Sequence, residues 1–141
     1  LETSRLTAVD VRDTLAAVIA DQPGAVSDTL LLVDVSDPNN PMVVSEVPTS
    51  GSSGTFSVAK VLLTGDLAVV SLGLHNGIGV FDVRDPLNPQ MIGDRTSKFL
   101  GSHGMTVAGE HLFVAGGVAG VDGYRLGSCR APRRPARRAT P

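Results

Sequence analysis

Residues 34–41 read Asp-Val-Ser-Asp-Pro-Asn-Asn-Pro, and residues 82–89 read Asp-Val-Arg-Asp-Pro-Leu-Asn-Pro. Six of the eight positions are identical, at a spacing of 48 residues. Each copy follows an apolar run, Leu30-Leu31-Leu32-Val33 and Ile78-Gly79-Val80-Phe81, and each precedes another, Met42-Val43-Val44 and Met91-Ile92. Working outward, Gly65-Asp66-Leu67-Ala68-Val69-Val70-Ser71 matches Gly109-Glu110-His111-Leu112-Phe113-Val114-Ala115 at a spacing of 44, with a looser copy over 13–20. A third apolar element precedes each of these, at Ala8–Val11, Phe56–Ala59 and Met105–Ala108. The apolar runs are of strand length and rich in β-branched residues, and no window sustains a period of 3.6. Four short strands recurring at 44–48 residues are the pattern of a propeller blade. The fold class expected is therefore all-β: a partial β-propeller built from four-stranded antiparallel blades, nearly three of them.

The repeated turn has a mechanism. Asp37 and Asp85 are placed to accept a hydrogen bond from the backbone N–H two residues on. Pro38 and Pro86 fix φ near the value of a first turn position. Pro41 and Pro89 push Asn40 and Asn88 to extended geometry, which launches the next strand. These six residues have a sufficient structural reason to be there, and they are read as turn residues rather than ligands.

With these residues in view, Val-Asp-Val-Ser-Asp-Pro-Asn-Asn-Pro (33–41), Val-Phe-Asp-Val-Arg-Asp-Pro-Leu-Asn-Pro (80–89) and Gly-Glu-His-Leu-Phe-Val-Ala-Gly (109–116) resemble the LVIVD repeat. The resemblance covers most of residues 6–126. It implies a β-propeller belonging to an extracellular or cell-surface protein, and it implies no particular chemistry, because propellers host many functions.

The strands expected are 6–11, 15–20, 29–35 and 42–47 in the first copy, and 56–62, 67–72, 78–83 and 90–94 in the second. The third copy offers 104–108, 111–116 and 119–126. There Arg125 stands where the other copies have Asp34 and Asp82, and the Asp-Pro turn is absent. Blades thus occupy about 6–47, 56–94 and 104–126 within a body of 1–127. A ring needs about four blades or more. The expectation is a segment of a longer propeller, whose remaining blades would be its partners, with self-association through open edges as the other route. The start at Leu1 rather than Met fits excision from a longer chain, and no signal peptide is visible.

Charge divides the chain. All 14 acidic residues lie at or before Asp122, and five of the 12 basic residues lie at 130–138, so residues 1–127 carry 7 basic and 14 acidic groups, net −7. Such a body is not a nucleic-acid interface, which needs a Lys/Arg patch. The tail over 128–141 alternates Pro, Ala and Arg and is expected to be disordered. Aromatic residues make up 4% with no Trp, too few for a base-stacking or carbohydrate platform. No apolar stretch approaches the roughly 20 residues of a membrane-spanning helix. The single cysteine, Cys129, excludes an internal disulfide and a Cys-based zinc site.

Chemistry has few places to sit. In propeller topology the entry to the first strand and the turn between strands two and three share one face, the usual ligand face. His103 and His75 should both emerge there, and His111 on the other. His103 and His75 are therefore the candidate ligands of a divalent metal, with Asp21 and Asp28 flanking the corresponding turn of the first blade. No short-range ligand spacing accompanies them. The glycine clusters at 51–54 and 116–117 lack the Lys-Ser/Thr of a phosphate loop, the glycines at 73–79 open no helix, and no serine sits in a Gly-x-Ser-x-Gly elbow. The function expected is a non-enzymatic repeat scaffold or binding module with no cofactor, facing a protein or surface ligand. The alternative is a segment of a propeller enzyme, a metal-dependent hydrolase or oxidoreductase, with His103 at the channel mouth.

Overall fold

The computed structural model describes residues 4–21, 27–49, 60–71, 77–95, 104–115 and 120–129. They form eleven strands in three antiparallel sheets, each strand pairing with its neighbour in sequence. The first sheet holds β1 (Arg5–Arg12), β2 (Leu15–Asp21), β3 (Thr29–Asp34) and β4 (Met42–Pro48). The middle sheet holds β5 (Val61–Thr64), β6 (Leu67–Ser71), β7 (Ile78–Asp82) and β8 (Gln90–Arg95). The last sheet holds β9 (Gly104–Ala108), β10 (His111–Ala115) and β11 (Val121–Arg125). The described residues contain no α-helix, and a short 3₁₀ turn covers Leu126–Cys129.

Local chemistry builds the same corners twice. The first hairpin of every sheet turns in two residues, and the first of the two is left-handed: Asp13 (φ +53°), Gly65 (+57°) and Gly109 (+60°). Glycine takes that conformation freely, and Asp is among the few side chains that tolerate it. At the Asp-Pro corner, the N–H of Asn39 donates to Asp37 Oδ1 at 3.0 Å and that of Leu87 to Asp85 Oδ1 at 3.1 Å. The N–H groups of Asn40 and Asn88 close the turns onto the carbonyls of Asp37 and Asp85, each at 3.0 Å. Asp34 and Asp82 accept in the same way from Ser36 (2.8 Å) and Arg84 (3.0 Å). The Ser36 N–H holds the Asp34 carboxyl below the usual aspartate range, and the Arg84 guanidinium first, with its N–H second, does the same for Asp82. β4 and β8 begin on the residue after Pro41 and Pro89.

Packing is face to face, with the middle sheet between the other two. Val61, Leu63, Ala68, Val70, Phe81 and Val83 of the middle sheet meet Ala17, Ile19, Leu30 and Leu32 of the first. From its other face, Leu67, Val69, Ile78 and Val80 meet Leu112, Val114 and Leu126 of the last unit. That is why every residue of β6 is buried, whereas β10 alternates buried and exposed. Burial of each such side chain is worth roughly 1.5–3 kcal/mol, and these two seams are the core. The first strands lie against one another, β1 on β5 and β5 on β9. Among the described residues, hydrogen bonds cross the first seam at two places: the N–H of Leu63 donates to Asp10 Oδ2 at 2.7 Å, and Ser45 Oγ donates to the carbonyl of Pro86 at 2.6 Å.

Two expectations need correcting. The likeness of Phe56–Ala59 to Ala8–Val11 puts the first strand of the middle sheet at 56–62, whereas it runs Val61–Thr64. A two-residue turn at Gly65-Asp66 forces its partner strand to end at Thr64, so Val61, not a residue near 56, is the counterpart of Val9; residues 50–59 lie outside the described residues. The last strand of the third copy is Val121–Arg125, shorter than 119–126. Arg125 offers no carboxylate to catch the N–H two residues on, and the chain passes directly into the 3₁₀ turn. The anchoring bond survives: Leu126 N–H donates to the Glu110 carbonyl at 2.8 Å, as Val35 does to Thr14 (2.9 Å) and Val83 to Asp66 (2.8 Å). Of the tail, residues 130–141 lie outside the described residues.

Candidate functional site

The strand ends define two rims. One carries the two-residue hairpin turns and the Asp-Pro corners. The other carries the entries to the first strands and the connections between second and third strands. His75 and His103, the candidate metal ligands, lie outside the described residues. His111 is the first residue of β10, paired with Ala108 and Arg125, its ring 6.4 Å from that of Phe113. Among the described residues no group of three or more His, Cys, Asp or Glu is arranged to hold a metal ion.

Asp21 and Asp28 stand on the second rim, at the end of β2 and just before β3. Arg5 ion-pairs with Asp21 at 3.0 Å. Asp28 is different. Its carbonyl takes both the N–H (2.8 Å) and the hydroxyl (2.9 Å) of Thr49, tying β4 to the start of β3. Its carboxylate oxygen Oδ1 is buried without a hydrogen-bond partner. Burial first, and the Asp21 charge second, raise its pKa above the ordinary aspartate value.

A raised pKa means that the folded state binds this proton more tightly than the unfolded chain does. Asp28 therefore costs nothing below about pH 4, where both states are protonated, and it lowers stability as pH rises through the folded-state value. Asp28→Asn is expected to raise the melting temperature at pH 7 and to leave it unchanged near pH 3. Melting curves at the two pH values check this, and an equal change at both would show that ionisation is not the cause.

The first rim carries a cleft of about 310 Å³ where the first seam meets solvent. Leu15, Leu63 and Val83 floor it, and Arg12, Asp13, Asp66 and Arg84 surround its mouth. The guanidiniums are engaged. Arg84 Nε lies 2.9 Å from Asp82 Oδ2, and hydrogen bonds to Asp82, aided by the Asp66 charge, raise its pKa further. Arg12 Nε lies 3.9 Å from Asp13. A smaller cleft of about 70 Å³ occupies the equivalent place in the second seam, between Leu67 and Leu126 beside Gly109 and Glu110. There Thr64 and Gly127 replace the two arginines. The cleft is thus a by-product of stacking one hairpin turn behind another, and only the first copy is lined by arginines. Its described lining carries one hydroxyl, that of Thr14, and no Ser, Cys, Lys or His. Arg12, Asp66 and Arg84 were not singled out in the sequence, because they meet only when two repeats stack.

No family model and no curated protein matches the chain.

Proposed function

We propose that this chain is a non-enzymatic repeat scaffold, its three sheets serving as LVIVD-like blades of a β-propeller. What carries the reading is the reuse of one interface. The residues that recur between copies are the turn aspartates and prolines and the apolar residues of the two seams, all engaged in folding. Adjacent first strands and face-to-face sheets agree with blades fanned about an axis. Function then falls to the rim marked by Asp21, Ser71 and Ala115, where the second strands end, which would contact a protein or surface ligand. Following the resemblance, we place the assembly at the cell surface or outside the cell, as part of a propeller larger than three blades.

The competing reading is a metal-dependent hydrolase or oxidoreductase segment using His103 and His75. Elemental analysis of the purified full chain and of His103→Ala separates them. The scaffold reading expects no stoichiometric metal in either protein and the same melting temperature for both. One bound metal per chain that disappears with His103→Ala would overturn it.

A further inference from the structure

Stacking accounts for both clefts on the first rim, but not for the side chains that line the larger one. The two clefts correspond residue by residue. Arg12 and Thr64 each stand just before the left-handed residue of a hairpin turn. Arg84 and Gly127 each follow the residue whose N–H is anchored to the turn, Val83 and Leu126. The second seam forms with Thr and Gly at these places, so neither arginine is needed for the turn or the packing. Their bonding is also unfinished. Arg84 spends Nε and Nη2 on Asp82, which fixes its guanidinium and leaves Nη1 without a hydrogen bond to any described residue. The Arg12 side chain is half covered, yet it makes no hydrogen bond among the described residues. Its ion-pair partner Asp13 lies 3.9 Å away with its own side chain 90% exposed, and a surface pair of that kind contributes little. The floor is firm. Leu63 and Val83 are buried, and their N–H groups donate to Asp10 Oδ2 at 2.7 Å and to the Asp66 carbonyl at 2.8 Å. A cleft built before its ligand arrives binds at lower cost.

We infer that this cleft binds a free α-amino acid with an aliphatic side chain. Size, charge and floor each narrow the ligand. A volume of about 310 Å³ lies at the low end of the roughly 300–1,000 Å³ of small-molecule sites, which suits one residue better than a peptide. The lining carries two arginines and two aspartates, Asp13 and Asp66. A ligand of no net charge that presents one anionic and one cationic group is therefore matched on both counts. A planar carboxylate takes the open edge of a guanidinium in two parallel bonds. The ammonium on the adjacent carbon then faces the aspartates, of which Asp66 already acts on Arg84 through its charge. A phosphate, with up to about two negative charges, would instead meet Asp13, Asp66 and Asp82 together. Leu15, Leu63 and Val83 give an aliphatic floor, and no aromatic ring lines the cleft for a ligand ring to stack on.

Heteronuclear NMR of the full chain titrated with L-leucine is the test. Saturable shifts are expected at the amides of Leu63, Gly65 and Val83, with a Kd of about 1 mM or tighter. N-acetyl-L-leucine lacks the ammonium and L-leucinamide lacks the carboxylate, and each is expected to bind about 10-fold more weakly or worse. Arg12→Thr copies Thr64, and Arg84→Ser copies Ser36, which occupies that place in the corner of the first sheet, so both variants use residues the fold already accepts. Each should weaken leucine binding about 10-fold or more with circular dichroism unchanged. Arg5→Ser, at the other end of β1, should leave the affinity as it is. The absence of a saturable shift, equal affinity for either leucine derivative, or an affinity that neither arginine substitution changes would overturn the inference. The leucine and derivative titrations use the natural chain, so they decide the matter even if a variant fails to fold. A chain that binds no amino acid would leave the scaffold reading standing, because that reading rests on the seams and not on this cleft.

Discussion

Phe81→Ala is expected to destabilise the protein by about 3–5 kcal/mol, the range for truncating a buried aromatic residue. Phe81 is the largest fully buried side chain among the described residues. It sits on β7, between Ala68 of β6 and Met91 of β8, and belongs to the cluster that joins the first sheet to the middle one. Its surroundings cannot close over the void. Ala17 and Ala68 are too small to reach in, and the strands around them are held on both sides by hydrogen-bonded ladders. The cost is a large fraction of the roughly 5–15 kcal/mol that holds an ordinary domain together. Urea unfolding monitored by circular dichroism is the measurement. The midpoint should fall while the slope stays constant. A loss below about 1 kcal/mol would mean that the first seam is not packed as described.

Leu112→Ala should cost about 2–5 kcal/mol by the same mechanism, yet its consequence is spatially different. Leu112 is fully buried at the centre of the second seam, facing Leu67, Val69, Ile78 and Val80. Among the described residues the last sheet packs on the middle sheet alone, and in a stack of repeats each unit is stabilised only by its neighbours. The last sheet should therefore open first. Hydrogen exchange is expected to accelerate at the amides of Leu112 and Val114 while those of Ile19 and Leu31 keep their protection. Phe81→Ala should instead expose amides of the first and middle sheets. An equal loss of protection across all three sheets in Leu112→Ala would show that the array opens as one unit.

The turns were legible because their chemistry is local. Asp37 and Asp85 bond two and three residues ahead, and Pro41 and Pro89 act on the residue before them, so eight letters were enough to fix both corners. Strand identity was legible for the same reason, through length, β-branching and the hairpin turns. The place where this failed is instructive. Phe56–Ala59 looks like Ala8–Val11, but resemblance between apolar tetrapeptides is weaker than the geometric demand of a two-residue turn, which seats β5 at Val61–Thr64. On the candidate site less was legible: His75 and His103 were named from topology and lie outside the described residues, whereas the cleft beside Arg12 and Arg84 forms only from two repeats at once.

The amino-acid sequence by itself determined that this is an all-β chain of three near-copies, with their corners and almost all their strands. Only the tertiary structure decided which face of each strand meets which sheet, that Val69 and Val70 look in opposite directions into different seams, and that Val9 and Phe113 stay exposed. The reason is physical. A strand's alternation shows that its residues divide between two faces, but a run such as Leu67–Ser71 is apolar on both, and what covers each face is settled by residues of other sheets, as distant in the chain as Ala17 and Leu112.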